Sequence, residues 1–344
     1  MNIQVFLATT GSGLARAGHS GDGNWSVEFL LIDQDVRCLA ADPNNANVVY
    51  AGTQGNGVLK SSDGGKTWQP AGLAGRIVKA VAVSRVEPDV VYAGTKPPLM
   101  FVSRGGGATW SELEAFRKVR RWYWLSPAEP PFTAYVQGIA LSPTDPKVII
   151  AGIEAGAVVR SEDGGKTWQG HRPDALRDCH TITFHATNGD WVYEGGGSGV
   201  GAAVSRHAGK TWQQPKAGLD RHYGWAVAAD PARPEVWYAS LSPGPMKAHS
   251  QNNAQAYIFR SAGGAAWQKL ALGNPEPRSV SKGHGGLPQP LNYMPYALLT
   301  DPNGPGHIYT GLSNGDVWHS TDHGDTWQKL PFNLKGIHRT LIRL

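Results

Sequence analysis

Several things are scarce in this chain, and each scarcity removes a class of protein. Only two cysteines, Cys38 and Cys179, occur in 344 residues, too few for a disulfide framework, and both are read as free thiols. No apolar run reaches the roughly 18 residues that a membrane-spanning helix needs. Charged residues make up 17% of the chain and the net charge is +5. No long basic run gathers that excess, so nucleic acid is not expected as a partner. The opening MNIQVFLATTGSG lacks the basic start of a secretory leader and is needed as a strand. A cytoplasmic protein is expected as the chain is written, or an exported one if a leader has been removed.

What is abundant is glycine (44), proline (24) and tryptophan (13), a balance that favours many short strands and tight turns over helices. An octapeptide recurs as SSDGGKTW (61 to 68), SEDGGKTW (161 to 168) and STDHGDTW (320 to 327). Worn copies end at Trp110 without the acid, at Trp212 with His207 in the acid's place, and at Trp267 and Trp25. Recurrence marks a structural device, because a catalytic loop is needed once. Its glycines supply positive φ, Asp and Ser or Thr take up turn amides, and Trp wedges against the sheet.

Ahead of each box lies a second recurring piece, such as VRCLAADPNNANVVYAGT (36 to 53) or VQGIALSPTDPKVIIAGI (136 to 153). Each reads as strand, turn, strand. A third strand runs into the box and a fourth leaves it. The N-terminal FLATTGSGL matches a second strand, and the C-terminal HRTLIRL matches a first strand with nothing after it. The expected fold is therefore all-β: a seven-bladed β-propeller with four antiparallel strands per blade, the last blade closed by N- and C-terminal strands, residues 1 to 344 forming one domain.

Aligning the repeats places Arg37, Lys79, Gln137, His180, Trp225, Tyr296 and Arg339 at one equivalent position, one residue into each first strand. The next residue is small in every blade, as crowding near an axis requires. Seven polar or aromatic side chains should thus ring a central funnel, with Arg339, Arg37 and Lys79 on adjacent blades and Trp225 and Tyr296 across from them. Such a ring suits an anionic small molecule or a carbohydrate. Three insertions, 112 to 135, 242 to 257 and 273 to 294, fall at the same end, and the first adds Trp122 and Trp124 as a candidate clamp.

Glu194 is a second anomaly, because six blades carry Ala or Thr where it stands. A carboxyl there must be paired or neutral. With His180 and Glu154 it forms a candidate catalytic set for general acid and base work; tying a rearranged blade together through internal bonds is the alternative. No cofactor is expected. If a metal is held, His180, His222 and His338 are its candidate ligands.

The boxes resemble the Asp-box (BNR) repeat of sialidases, xyloglucan-hydrolysing propellers, sortilin-type receptors and the photosystem II assembly propeller. The resemblance covers nearly the whole chain and implies the fold. On the sialidase pattern Arg37, Arg339 and Tyr296 would take some of the catalytic parts; on the xyloglucanase pattern Gly11 stands in the place of a catalytic Asp. Two functions stay open: a glycoside hydrolase-like or lyase-like enzyme, and a binding or assembly propeller for a protein or glycan partner.

Overall fold

A computed structural model describes residues 4–19, 24–119, 121, 124–126, 130–270 and 287–344. Seven small antiparallel sheets make up the molecule. In chain order the innermost strands are Val36–Asp42, Ile77–Val83, Tyr135–Leu141, Cys179–Phe184, Tyr223–Ala229, Pro295–Asp301 and Leu341–Arg343; they define blades one to seven. Each contacts the next, and the last contacts the first, so the ring closes. Closure is made between the ends of the chain, since Leu341–Arg343 pairs with Val5–Thr9 through Ala8 opposite Leu341 and Phe6 opposite Arg343. This is the seven-bladed β-propeller that the repeats predict. In blades three and four the fourth strand shrinks to single bridges, Arg160 to Gln169 and Val204 to Gln213.

The boxes behave as the octapeptide suggests. In blade one the Ser61 hydroxyl donates to Asp63 Oδ1 (2.8 Å) and accepts from the Gly65 amide (2.8 Å), while Asp63 accepts from the Thr67 amide and hydroxyl. The same four bonds recur at residues 161–167 and 320–326. In each intact box the indole N–H then donates to the carbonyl of the Gly three residues earlier. Hydrogen bonds from Thr167 lead the causes that hold Asp163 down at about 2.

At the opposite end of the blades the inner strands share an irregularity. Pairing jumps from Val36 to Cys38, Val78 to Ala80, Val136 to Gly138, Cys179 to Thr181 and Pro295 to Ala297, with one residue of the inner strand left over each time. Blade five breaks between Gly224 and Val227. These are β-bulges, which turn an extra side chain out of the ladder. The residues left over are Arg37, Lys79, Gln137, His180, Tyr296 and, with Ala226, Trp225. Opposite the bulge most second strands carry glycine. A Cβ on Gly52, Gly94 or Gly152 would meet the neighbouring side chain at 2.6, 2.4 or 2.1 Å. Two blades use a hydroxyl there instead: Ser240 Oγ accepts from the Ala226 amide, and Thr9 Oγ1 from the amides of Arg339 and Thr340.

Candidate functional site

The bulges aim their side chains at the axis. Arg37, Lys79, Gln137, His180, Tyr296 and Arg339 line a cavity of about 220 Å³ at the centre of the ring, with the small residues that follow them forming its throat. Trp225 stands just behind this lining, stacked on the His180 ring at 4.4 Å and edge-on to Tyr296 at 4.7 Å.

The two halves of the rim differ in chemistry. Blades seven, one and two bring the cations. Arg37 pairs with Asp35 at 2.5 Å, and Lys79, 2% exposed, lies 4.6 Å over the Tyr135 ring, which Lys96 also faces at 5.4 Å. Both Arg339 and Lys79 are close enough for their charge to act on the buried Cys38 thiol, although burial dominates and pushes it up to about 12.

Blades three to six bring aromatic rings and titratable groups. His180 Nδ1 lies 2.7 Å from the Gly224 carbonyl oxygen, which can only accept, so Nδ1 carries a proton. Its Nε2 is 3.5 Å from Asp178 Oδ2. Asp178 in turn accepts from the Ala155 amide at 3.0 Å, which brings it beside Glu154. Glu154, 9% exposed, accepts from the Ser126 hydroxyl at 2.7 Å. The two carboxyls are pushed apart. Burial raises Glu154, only partly offset by Ser126 and by the charges of His180 and Arg339. Burial pushes Asp178 up as well, but the hydrogen bond and charge of His180 and the Ala155 amide more than reverse it, leaving Asp178 low. Divergent environments of this kind separate an acid from a base.

The insertion 242 to 257 adds to this half. Its short helix Pro245–Ala248 presents His249, whose two ring nitrogens share hydrogen bonds with Tyr296 Oη (2.7 Å) and Tyr223 Oη (3.0 Å). Burial, followed by the charge of His180, lowers His249. Burial also lifts Tyr296 to about 12. The insertion 112 to 135 supplies Ser126 to Glu154. Asp178 stands where Asp35 stands in blade one, one residue ahead of the aligned inner strand and paired with the funnel residue two places on, whereas Ser126 lies in an insertion without a counterpart.

Two expectations need correction. Glu194 does not face the funnel. It is wholly buried between blades three and four, where one carboxyl oxygen accepts from the Leu176 amide at 2.9 Å and Cys179 donates to it. A second-strand side chain at this position points between sheets, not along the axis, so Glu194 ties the blade together, and burial holds it well above the ordinary carboxyl range. Trp124 is not an open clamp either: 5% exposed, it packs with Phe116, Val119 and Ile153 in the core between blades two and three. Trp122 and much of the insertion 273 to 294 lie outside the described residues. Among the metal candidates His222 and His338 are exposed, and no described cluster of three or more His, Cys, Asp or Glu is arranged to hold a metal ion. Among the described residues no helix is long and apolar enough to cross a membrane.

The molecule is thus a seven-bladed propeller with a cationic and aromatic funnel. No protein-family model and no curated protein matches its sequence. Solved structures do match it in fold. An ancestral GH74 enzyme superposes with a TM-score of 0.60 at 20% identity over 90% of this chain. The GH74 xyloglucanase from Xanthomonas campestris gives 0.58 at 19% over 86%. This chain spans only 38% and 45% of those two enzymes. A third, YCF48 bound to D1 peptide, gives 0.54 at 16% over 86% of this chain and 80% of its own. Identities this low establish the shared fold and no more.

Proposed function

We propose that this chain is an Asp-box propeller whose funnel binds an anionic, sugar-like ligand. Arg37, Lys79 and Arg339 would hold its charge, Gln137 would reach its polar groups, and the Tyr296 ring, backed by Trp225, would take its apolar face. The observation that carries this reading is the bulge at the start of the inner strands, which delivers Arg37, Lys79 and Tyr296 to the one cavity that Arg339, ahead of the last strand, also lines. Carbohydrate as ligand is in keeping with the GH74 neighbours. Titration calorimetry against matched neutral and carboxylated oligosaccharides tests it. Binding should be confined to the charged members, weaken as salt rises, and drop at least tenfold in Arg37→Ala and Arg339→Ala. Equal affinity for the neutral set would overturn the proposal.

A second reading, a binding or assembly propeller for a protein partner, is favoured by Leu125, Phe132 and Met246, exposed apolar side chains on two of the insertions at the funnel end. It fits the fold shared with YCF48. An acidic peptide would then bind in competition with the charged sugar, and replacing the three apolar residues with Ser would weaken the peptide alone.

A further inference from the structure

The funnel combines a cationic half with a proton-transfer half, and the combination selects among reactions. Hydrolysis of a glycoside develops positive charge on the sugar ring. Arg37, Lys79 and Arg339 would oppose that charge. A reaction that develops negative charge beside a carboxylate is helped by the same three groups. We propose that the funnel performs β-elimination on a uronic-acid glycoside, with the carboxylate against Arg37, Lys79 and Arg339, His180 Nε2 as base and Glu154 as acid. This rests on the anionic-ligand reading above and deepens it.

The chain's own residues fit the two roles. His180 lines the cavity, and its Nδ1 proton is committed to the Gly224 carbonyl. In the neutral ring Nε2 then carries the lone pair, and it takes the proton from the carbon next to the carboxylate. Asp178, 3.5 Å from Nε2, stabilises the imidazolium that results. Glu154 sits beside Asp178 through the Ala155 amide, and its burial keeps it protonated to higher pH than an ordinary carboxyl. The groups whose charge acts on it are His180, Asp178 and Arg339, and of these His180 and Arg339 line the cavity. Trp225 stacks on the His180 ring at 4.4 Å and Tyr223 packs tilted against it at 5.0 Å.

The step balances. The C–H electron pair becomes the ring double bond, the neighbouring carbon–oxygen bond breaks with its pair staying on oxygen, and that oxygen receives the Glu154 proton. One glycoside yields an unsaturated uronate and an alcohol; no water or oxidant is consumed. His180 then returns its proton to Glu154 through solvent.

The experiment uses the full chain with oligosaccharides of galacturonate, glucuronate and mannuronate. Three readouts run together: the ultraviolet absorbance of the conjugated unsaturated product, the release of reducing ends, and calorimetric binding. The chromophore should appear with at least one substrate, and His180→Asn and Glu154→Gln should each slow it by about a hundredfold or more while binding persists. Glu154→Gln keeps the shape that Ser126 grips, and thermal unfolding checks that both variants fold. The loss of rate at high pH, where Glu154 gives up its proton, should disappear in Glu154→Gln. Reducing ends without chromophore would mean hydrolysis and overturn the inference. Binding without either product would overturn it and leave the binding reading standing; failure to bind any of the three would overturn both.

Discussion

The two ends of each blade obey opposite rules. At the box end, the three intact copies hold the same residues making the same bonds, so that Ser61, Ser161 and Ser320 each grip an Asp and a Gly amide at nearly equal distances. At the funnel end the backbone recurs, bulge after bulge, yet the side chain it delivers differs almost every time. A repeated turn needs one solution, and repeating it costs nothing in function. A repeated bulge supplies a common direction, and varying its residue converts symmetric architecture into an asymmetric site. The glycines opposite the bulges belong to the first rule and serve the second, because in most blades the inner strand crowds the axis where the second strand gives up its side chain, and in two a small hydroxyl takes up its amides instead.

That division is broken hardest by filling the space the bulge needs. A Cβ on Gly152 would lie 2.1 Å from Cys179 Sγ. Gly152→Ala should therefore cost about 3 kcal/mol of stability by overpacking, measured by chemical denaturation. Gly55→Ala, where nothing lies within 4 Å of the added Cβ, should change stability by less than about 0.5 kcal/mol.

A smaller effect is expected at the one blade that departs from the second-strand pattern. Glu194→Ala removes the acceptor of the Leu176 amide and empties part of the layer between two sheets, for a loss of about 2 kcal/mol. Its pH dependence is the sharper test. Burial raises Glu194 in the folded chain above its unfolded value, so its contribution is fully present below the ordinary Glu range and is lost as pH rises toward the folded value. In Glu194→Gln that part of the decline should vanish from a series of unfolding curves taken at rising pH. If the two proteins run parallel across the range, Glu194 is not held neutral and the account of blade four fails.

Much of this was legible in the sequence for a physical reason. Repeats expose any position where the same local geometry meets a different residue, so the seven funnel side chains stood out from alignment alone, as did Glu194 against its Ala and Thr counterparts. The reading failed where a contact crosses between repeats or comes from an insertion. Asp178 precedes its strand and reaches the Ala155 amide of the previous blade, His249 follows a short helix without a counterpart, and Trp124 turns inward to fill the gap beside Ile153. Nor could alignment tell that a second-strand side chain such as Glu194 faces a neighbouring sheet, because alternation gives the side of the strand and not what lies there.

The box end predicts milder and opposite behaviour. Asp163→Ala deletes acceptors for the Thr167 amide and hydroxyl at an exposed turn and should cost about 1 kcal/mol. Because hydrogen bonds hold Asp163 down at about 2, its share is complete above the ordinary Asp range. That share should fade as pH drops through about 2, the reverse of Glu194. Acid unfolding of the variant should accordingly lose its lowest step.

The smallest effect is a gain. Blade four carries His207 where the intact boxes carry Asp, and its ring nitrogen replaces one of their bonds, meeting Thr211 Oγ1 at 2.7 Å. Ser205 still grips the Gly209 amide at 2.9 Å and the indole of Trp212 still donates to Gly209, so the turn is already in the intact shape. His207→Asp would add an acceptor for the Thr211 amide without moving the backbone, and should raise stability by about 0.5 kcal/mol, read as a small upward shift in the denaturation midpoint. If every box is an interchangeable turn, funnel binding in this variant equals that of the parent protein. A change in binding would mean that the two ends of blade four communicate, and that the separation of architecture from site is incomplete there.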